Sequence, residues 1–262
     1  MSLDIVSVIP YIRLELFLYS ILFVYLTLSF ALPIFLYYKK VVSGYFVRKF
    51  IHFFAGVSVV LIPFFQYPLV PILFSGLLAL LMYLAGKKTQ IPGLRTLYKI
   101  IGEDDELKLG YLQGPFAYAF SIMLSLLLVY VFNFSFVIPV IAIFIMIISD
   151  TLASVVGKRY GRIRFLKKVT GSNRSLIGSA TFLVTSFLLT FFLLNVHGLI
   201  YIRVCESFCY IPNNFLLNSG LSNFLIAALL SVFSTLIEMF SPSKWDDFLV
   251  PIGTTIVLML LI

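Results

Sequence analysis

Residues 155–179, VVGKRYGRIRFLKKVTGSNRSLIGS, bring four glycines, seven cations and a set of hydroxyls into one short segment. Gly157, Gly161, Gly171 and Gly178 let backbone amides approach an anion, while Thr170, Ser172, Ser175 and Ser179 supply O–H donors. With lysine and arginine to neutralise charge, this is the chemistry of phosphate binding, and a nucleoside triphosphate fits it. The segment is neither a GxxxxGK[ST] phosphate loop nor a GxGxxG dinucleotide turn, so the familiar soluble nucleotide folds are not indicated. Carboxylates stand on either side of it. Asp150 precedes it, with Thr151 adjacent and Ser154 one turn on; Ser231, Ser234, Thr235 and Glu238 recur later at helical spacing, and Asp246 and Asp247 follow. An imidazole, His52, sits beside Lys49 in RKFIHFF at 48–54, read as the first turn of an apolar helix. Histidine titrates near neutrality and suits proton transfer or phosphate binding.

Membrane helices must position these groups. Hydrophobic residues fill 61% of the 262 positions, charged residues 11%, and the mean hydropathy is +1.08, which leaves too little polar surface for a soluble domain. A hydrocarbon layer of about 30 Å takes about 20 apolar residues per helix. Eight such runs are read, at approximately 14–38, 50–66, 68–86, 112–132, 134–156, 176–196, 219–239 and 245–262. The expected fold is an all-α polytopic membrane protein, a bundle of about eight transmembrane helices with its site at the cytoplasmic side and a single domain over 1–262. The second and third runs join tightly at Gln66, Tyr67 and Pro68, and the fourth and fifth at Asn133, so each pair reads as a helical hairpin. The first run is too long for a signal peptide and lacks a basic n-region and cleavage site, so it is expected to be retained.

With the N-terminus outside, the inner loops are 39–49, 87–111, 157–175 and 240–244, and they hold 17 of the 19 basic residues; Arg13 and Arg203 are the two outside. The positive-inside rule therefore makes these loops cytoplasmic. The formal charge of +8 belongs to that face and is not a sign of nucleic acid, since no aromatic-interleaved basic repeat accompanies it. On this topology Lys49, His52, Asp150, Glu238, Asp246 and Asp247 share one depth. Taken singly, each reads as a helix-ending charge that snorkels. As a set they read as facing a protein interior or a watery cavity, because a charge in hydrocarbon costs at least ~2–3 kcal/mol.

The inner loop 87–110 carries Leu94, Leu97, Tyr98 and Ile101 at i, i+3, i+4, i+7 spacing with Arg95 and Lys99 between them, which predicts a short helix along the inner interface. The acidic run GEDDE at 102–106 reads as a solvated loop after it. Cys205 and Cys209 fall in the longest outer loop, at a spacing that rarely gives disulfide geometry without a turn, and neither has the companions of a zinc site. His197 reads as an interfacial residue at the outer end of the sixth run.

Four segments in chain order carry a resemblance. RKFIHFFAG (48–56) is similar to an R-K-x-x-H-x-x-x-G element, and SDTLASVVGKRYGR (149–162) to G-D-x-x-A-S-x-x-G-x-x-x-G. NRSLIGSATF (173–182) is similar to N-K-S-x-E-G-S, and EMFSPSKWDDFLVPI (238–252) to E-x-x-S-P-x-x-x-D-N-x-x-x-P. Together they resemble the membrane-embedded, CTP-dependent lipid alcohol kinases: dolichol, phytol and farnesol kinases and the yeast-type diacylglycerol kinase. This chain departs from the pattern at Ser149 for glycine, Arg174 for lysine, Asp247 for asparagine and Ile177 for glutamate. The resemblance implies transfer of a phosphoryl group from CTP, with Mg2+ or another divalent cation, to a lipid alcohol held in the membrane. It implies that Asp150, Glu238 and Asp246 hold or orient the metal; with Ile177 in place of glutamate, either Asp247 compensates or Lys168, Thr170, Gly171 and Ser172 form an alternative phosphate cradle. Lys158, Lys168 and Arg174 would bind phosphates, within a cradle of Ser154, Gly157, Gly161, Thr170, Ser175, Gly178 and Ser179. His52 would accept the alcohol proton or bind the γ-phosphate, with Lys49 assisting.

Phosphatidate cytidylyltransferases share the glycine and KSxEGS elements and also take CTP, but their GHGGxxDRxD-type closing segment is absent here. A small transporter is the reading from a different class, resting on the polar stripe Ser231, Ser234, Thr235 and Glu238. Against it, no ionisable residue is read near the middle of a span and no broken helix pair marks a midplane site. Among lipid alcohols a polyprenol is favoured, although a phenylalanine and leucine stripe looks the same whether it packs a helix or an isoprenoid.

Overall fold

The computed structural model describes the backbone of residues 5–163, 174–205, 220–242 and 245–262, and the side chains of 14–163, 174–196, 220–242 and 245–262. Lys168, Thr170, Gly171, Ser172 and Cys209, and the side chains of His197 and Cys205, lie outside the described residues.

The helices are α1 (Ile5–Tyr38), α2 (Gly44–Val57) with a 3-10 continuation over Ser58–Phe64, α3 (Leu69–Leu84), α4 (Pro92–Ile101), α5 (Asp104–Leu109) and α6 (Gln113–Val131). Next, α7 (Val137–Phe144) passes through a π-helical turn, Ile145–Ser149, into α8 (Asp150–Tyr160), followed by α9 (Leu176–Cys205), α10 (Gly220–Phe240) and α11 (Asp246–Leu261). No strand occurs among the described residues. Six helical stretches are long and apolar enough to cross a membrane: 14–38, 44–64, 113–131, 137–160, 176–196 and 220–240. The chain is an integral membrane protein of all-helical fold. Each of the eight expected runs holds a helix, but α3 and α11 have 16 residues each. At 1.5 Å per residue that is ~24 Å, short of the ~30 Å hydrocarbon core.

Burial follows from composition. In α7 the seven residues Val137–Ile143 are all buried, as are Ile145, Met146 and Ile147, the pattern of a helix that is apolar all round because it has no outer face. It packs against α6, α9 and α11. By contrast α1 shows Leu16, Phe17, Phe23 and Leu28 to the outside, and α3 shows Leu73, Leu77 and Leu80. In lipid such faces carry no penalty.

Two expected turns are present. Asn133 takes a left-handed conformation (φ 56°), which asparagine tolerates better than most residues. At the 66–68 turn the Gln66 N–H donates to the Glu15 carboxylate, whose other oxygen is buried without a partner. Glu15, buried within α1, was not recognised among the intramembrane ionisable residues, because it sits alone in a uniformly apolar run. The start of the second run is also corrected. Ser43 caps α2, its hydroxyl accepting from the Phe46 N–H at 3.3 Å, so the helix begins at Gly44 and His52 lies in the third turn rather than the first. Regular winding ends at Ser58, ahead of Pro63, which has no N–H to donate and crowds the carbonyl four residues back.

The amphipathic helix predicted in loop 87–110 is α4, with Leu97, Tyr98 and Ile101 buried together with Ile100. The GEDDE segment is not simply solvated. Glu106 is buried, closes a capping box with Glu103 at the start of α5, accepts from Gly114 N–H at 2.7 Å, and pairs with Arg48 at 2.5 Å. Glu106→Ala is expected to cost ~2–3 kcal/mol, because it leaves Arg48 and two N–H groups without their shared acceptor. A clearly lower apparent melting temperature in detergent would show this, and an unchanged one would refute it.

Candidate functional site

Four chain segments far apart in sequence converge at one end of the bundle. α8 brings Asp150, the connection into α9 brings Arg174, α10 brings Glu238, and the start of α11 brings Asp246 and Asp247. Arg174 is the hub. Its Nε lies 2.8 Å from Glu238 Oε1, and one terminal nitrogen lies 3.1 Å from Asp246 Oδ2 and 3.3 Å from Ser241 Oγ. The other terminal nitrogen donates to the Ser241 carbonyl at 2.9 Å. Asp150 stands within electrostatic reach of Glu238, Asp246 and Asp247. In this structure protein acceptors engage the Arg174 guanidinium, which ties three elements together. Ser241, within the closing segment, was not recognised as its partner.

A π-helical turn, Ile145–Ser149, immediately precedes Asp150. The turn inserts an extra residue into the winding, and such turns often occur at functional sites. Ser149, the residue in place of the usual glycine, is fully buried there with its hydroxyl unpartnered.

A second group adjoins this cluster. The His52 ring stacks on Tyr118 with centroids 4.0 Å apart, and the Tyr118 hydroxyl donates to the His52 carbonyl at 3.1 Å. Among the described residues neither ring nitrogen of His52 has a hydrogen-bond partner, and Asp150 lies within electrostatic reach. Asp247 is tied to α6 through its carbonyl, which accepts from Ser121 Oγ at 3.0 Å. Its carboxylate makes no hydrogen bond or ion pair among the described residues, and its electrostatic neighbours include Asp150, Lys49 and Arg48. Gly56, the last residue of RKFIHFFAG, has a steric reason: a Cβ there would sit 2.1 Å from the Tyr118 hydroxyl and 2.8 Å from Ile147 Cγ2. Gly56→Ala is expected to cost ~1–3 kcal/mol by overpacking and to push Tyr118 off His52. Thermal unfolding and activity should fall together; a variant as stable and active as the parent would refute this.

The glycine and hydroxyl segment is partly described. Ser175 accepts from Gly178 N–H at 3.1 Å and so caps the first turn of α9, while its hydroxyl also reaches the Gly157 carbonyl at 3.4 Å. A Cβ on Gly157 would lie 2.8 Å from Ser175 Oγ and 3.3 Å from Gly178 Cα, and one on Gly161 would overlap Ser175. In this structure Gly157, Gly161, Gly178 and Ser175 close the crossing of α8 and α9. Ser179 is buried with its hydroxyl unpartnered, and Ser154 is half-buried on α8. Lys49 and Lys158 are exposed, and Lys158 lies 5.9 Å from the Tyr45 ring of α2, so the ends of α8 and α2 share one face. Ile177 is exposed and lines a surface recess with Arg159, Gly161 and Arg162.

The stripe on α10 does not resemble a transport path. Ser231, Ser234, Thr235 and Glu238 are buried, and the three hydroxyls donate to carbonyls of their own helix at 2.6–3.2 Å. Such bonds satisfy the hydroxyls without lining a route.

Among the described residues no three His, Cys, Asp or Glu side chains converge tightly enough to enclose a metal ion, and Arg174 bridges Glu238 and Asp246. The donor chemistry nevertheless suits a hard divalent cation, since every candidate is a carboxylate. Glu238 Oε2 is buried without a partner, and the Asp150 and Asp247 carboxylates make no hydrogen bond or ion pair among the described residues.

No protein-family profile matches the chain, and no solved structure matches it. Over 48 residues the chain is 48% identical to the dolichol kinase of Saccharomyces cerevisiae (strain ATCC 204508 / S288c). That stretch is 18% of this chain and 8% of the yeast protein, so the likeness to dolichol kinase is strong but local.

Proposed function

We propose that this chain is a membrane-embedded lipid alcohol kinase that transfers the γ-phosphoryl group of CTP to a polyprenol-type alcohol. The observation that carries the reading is the meeting of Asp150, Glu238, Asp246 and Asp247 with His52 at one end of the bundle, drawn from the segments that resemble the kinase family. The local identity to yeast dolichol kinase supports the same reaction class.

In the proposed reaction the alcohol oxygen bonds to the γ-phosphorus as the bond from that phosphorus to the β,γ-bridging oxygen breaks, and CDP leaves. The hydroxyl proton passes to His52, whose ring nitrogens have no other partner among the described residues. Tyr118 fixes the imidazole plane by stacking and holds the backbone beneath it. Asp150, Glu238, Asp246 and Asp247 would hold Mg2+, which when bound neutralises charge on the phosphates. Arg174 keeps Glu238 and Asp246 in place. Lys49 and Lys158 stand at the same face to attract a polyanion, and Lys168 with Thr170 is assigned to the phosphate cradle. By the positive-inside rule this end would face the cytoplasm and the N-terminus the outside.

Purified protein in mild detergent with Mg2+, γ-labelled CTP and a panel of lipid alcohols is expected to place label on the lipid. Chelation of the divalent cation should abolish transfer. Label from ATP but not CTP would replace the donor. Pyrophosphate release with phosphatidate would move the reading to cytidylyl transfer, and silence throughout would reject an enzyme of either kind.

A further inference from the structure

A long cleft lies between two helix pairs. α1 packs on α2 and α3 packs on α6, while the two pairs make only sparse contact with each other. The α1–α2 wall includes Leu22, Leu26, Ala55 and Val59, and the opposite wall includes Phe74, Leu78, Ala119 and Ile122. Along α2 the lining runs from Arg48 to Ile62, which is ~20 Å at helical rise, most of a hydrocarbon core. The lining residues are buried or half-buried, so the cleft is recessed from the outer apolar surface while remaining partly open. Its walls present carbon. Ser58 and Ser75 line it, but their hydroxyls donate to their own helices, to the Ala55 carbonyl at 2.6 Å and the Ile72 carbonyl at 2.8 Å. Polar groups gather at one end, where Arg48, His52, Tyr118 and Asp247 line the same cleft.

We infer that this narrow cleft, about 90 Å³ in volume, holds the hydroxyl-bearing end of the acceptor alcohol's hydrocarbon tail, with the hydroxyl at the His52 and Asp247 end. The inference rests on the kinase reading above and deepens it by assigning the tail site. The occupant is a single-tailed amphiphile whose polar group is small. An apolar cleft whose wall hydroxyls are bonded to their own helices suits a hydrocarbon chain. A polar end adjoining the acidic cluster through Asp247, an electrostatic neighbour of Asp150, presents the hydroxyl where phosphoryl transfer is proposed. Ala55 and Ala119 are the smallest side chains of the lining, one on each wall.

The test uses a polyprenol bearing a diazirine in its tail, photolysed with the full-length protein in nanodiscs without nucleotide, followed by peptide mapping. Label is expected on cleft residues of α2, α3 and α6, displaced by unlabelled polyprenol and not by phosphatidylcholine. Ala119→Trp, and separately Ala55→Trp should the first misfold, are expected to lower cleft labelling roughly tenfold or more by filling the channel. Leu80→Trp, on the outer face of α3, should leave it unchanged. Label confined to outer residues such as Leu73 and Leu77, or displaced equally by phosphatidylcholine, would overturn the assignment. Cleft labelling in a protein that transfers no phosphate would uphold the tail site and reject the kinase reading. Transfer without cleft labelling would do the reverse.

Discussion

Asp150→Asn is expected to lower kcat/KM for lipid alcohol phosphorylation by ~10³-fold, equivalent to ~4 kcal/mol of lost transition-state stabilisation. The size follows from position. Asp150 is the carboxylate within electrostatic reach of Glu238, Asp246, Asp247 and His52 alike, and it makes no hydrogen bond or ion pair among the described residues. A carboxylate with no partner among the described residues can be neutralised at little cost to their packing, so its loss should appear in turnover. Melting temperature should hold, and asparagine should raise the Mg2+ concentration needed for half-maximal rate. Parental activity at limiting Mg2+ would remove Asp150 from the site, and a large fall in melting temperature would make its role structural.

Arg174→Ala should behave in the opposite way, with stability lost first. The Arg174 and Glu238 side chains are 12% and 7% exposed, and Asp246 shares the same guanidinium. Deleting the cation leaves two largely buried carboxylates without compensation, expected to cost ~3–5 kcal/mol. The apparent melting temperature in detergent should drop sharply, and the double substitution Arg174→Met with Glu238→Gln should recover part of the loss because one uncompensated charge goes with it. Arg174→Lys should be intermediate, since an ammonium cannot span Glu238, Ser241 and Asp246 as a planar fork does. An Arg174→Ala protein as stable as the parent would show that the ion pairs contribute nothing.

The helices were legible because apolar runs of spanning length leave few alternatives, and Asn133 marked its hairpin because few residues accept its backbone conformation. The start of α2 was not legible. The cations at 48 and 49 look like a membrane boundary, yet Ser43 supplies the cap and carries the helix two turns earlier than expected. Charge pairing was equally hidden: Glu106 finds Arg48 across 58 positions, and Arg174 finds Asp246 across 72, and no local spacing encodes either. The close packing of Gly157, Gly161 and Gly178 at the α8–α9 crossing was not legible, because flexibility and close packing demand the same residue. The apolar cleft could not be read because its wall residues have the composition of ordinary core.

Around the π-helical turn at Ile145–Ser149 the site depends on a count of residues as well as on their kinds. A π turn takes up one residue more than an α turn in nearly the same rotation, so the bulge itself barely alters the phase of α8, whereas adding or removing a residue in the regular winding on either side would turn Asp150 by ~100° toward a different neighbour. The angular phase of α8 is thus inherited through the chain length outside the bulge, and the bulge absorbs the one extra position.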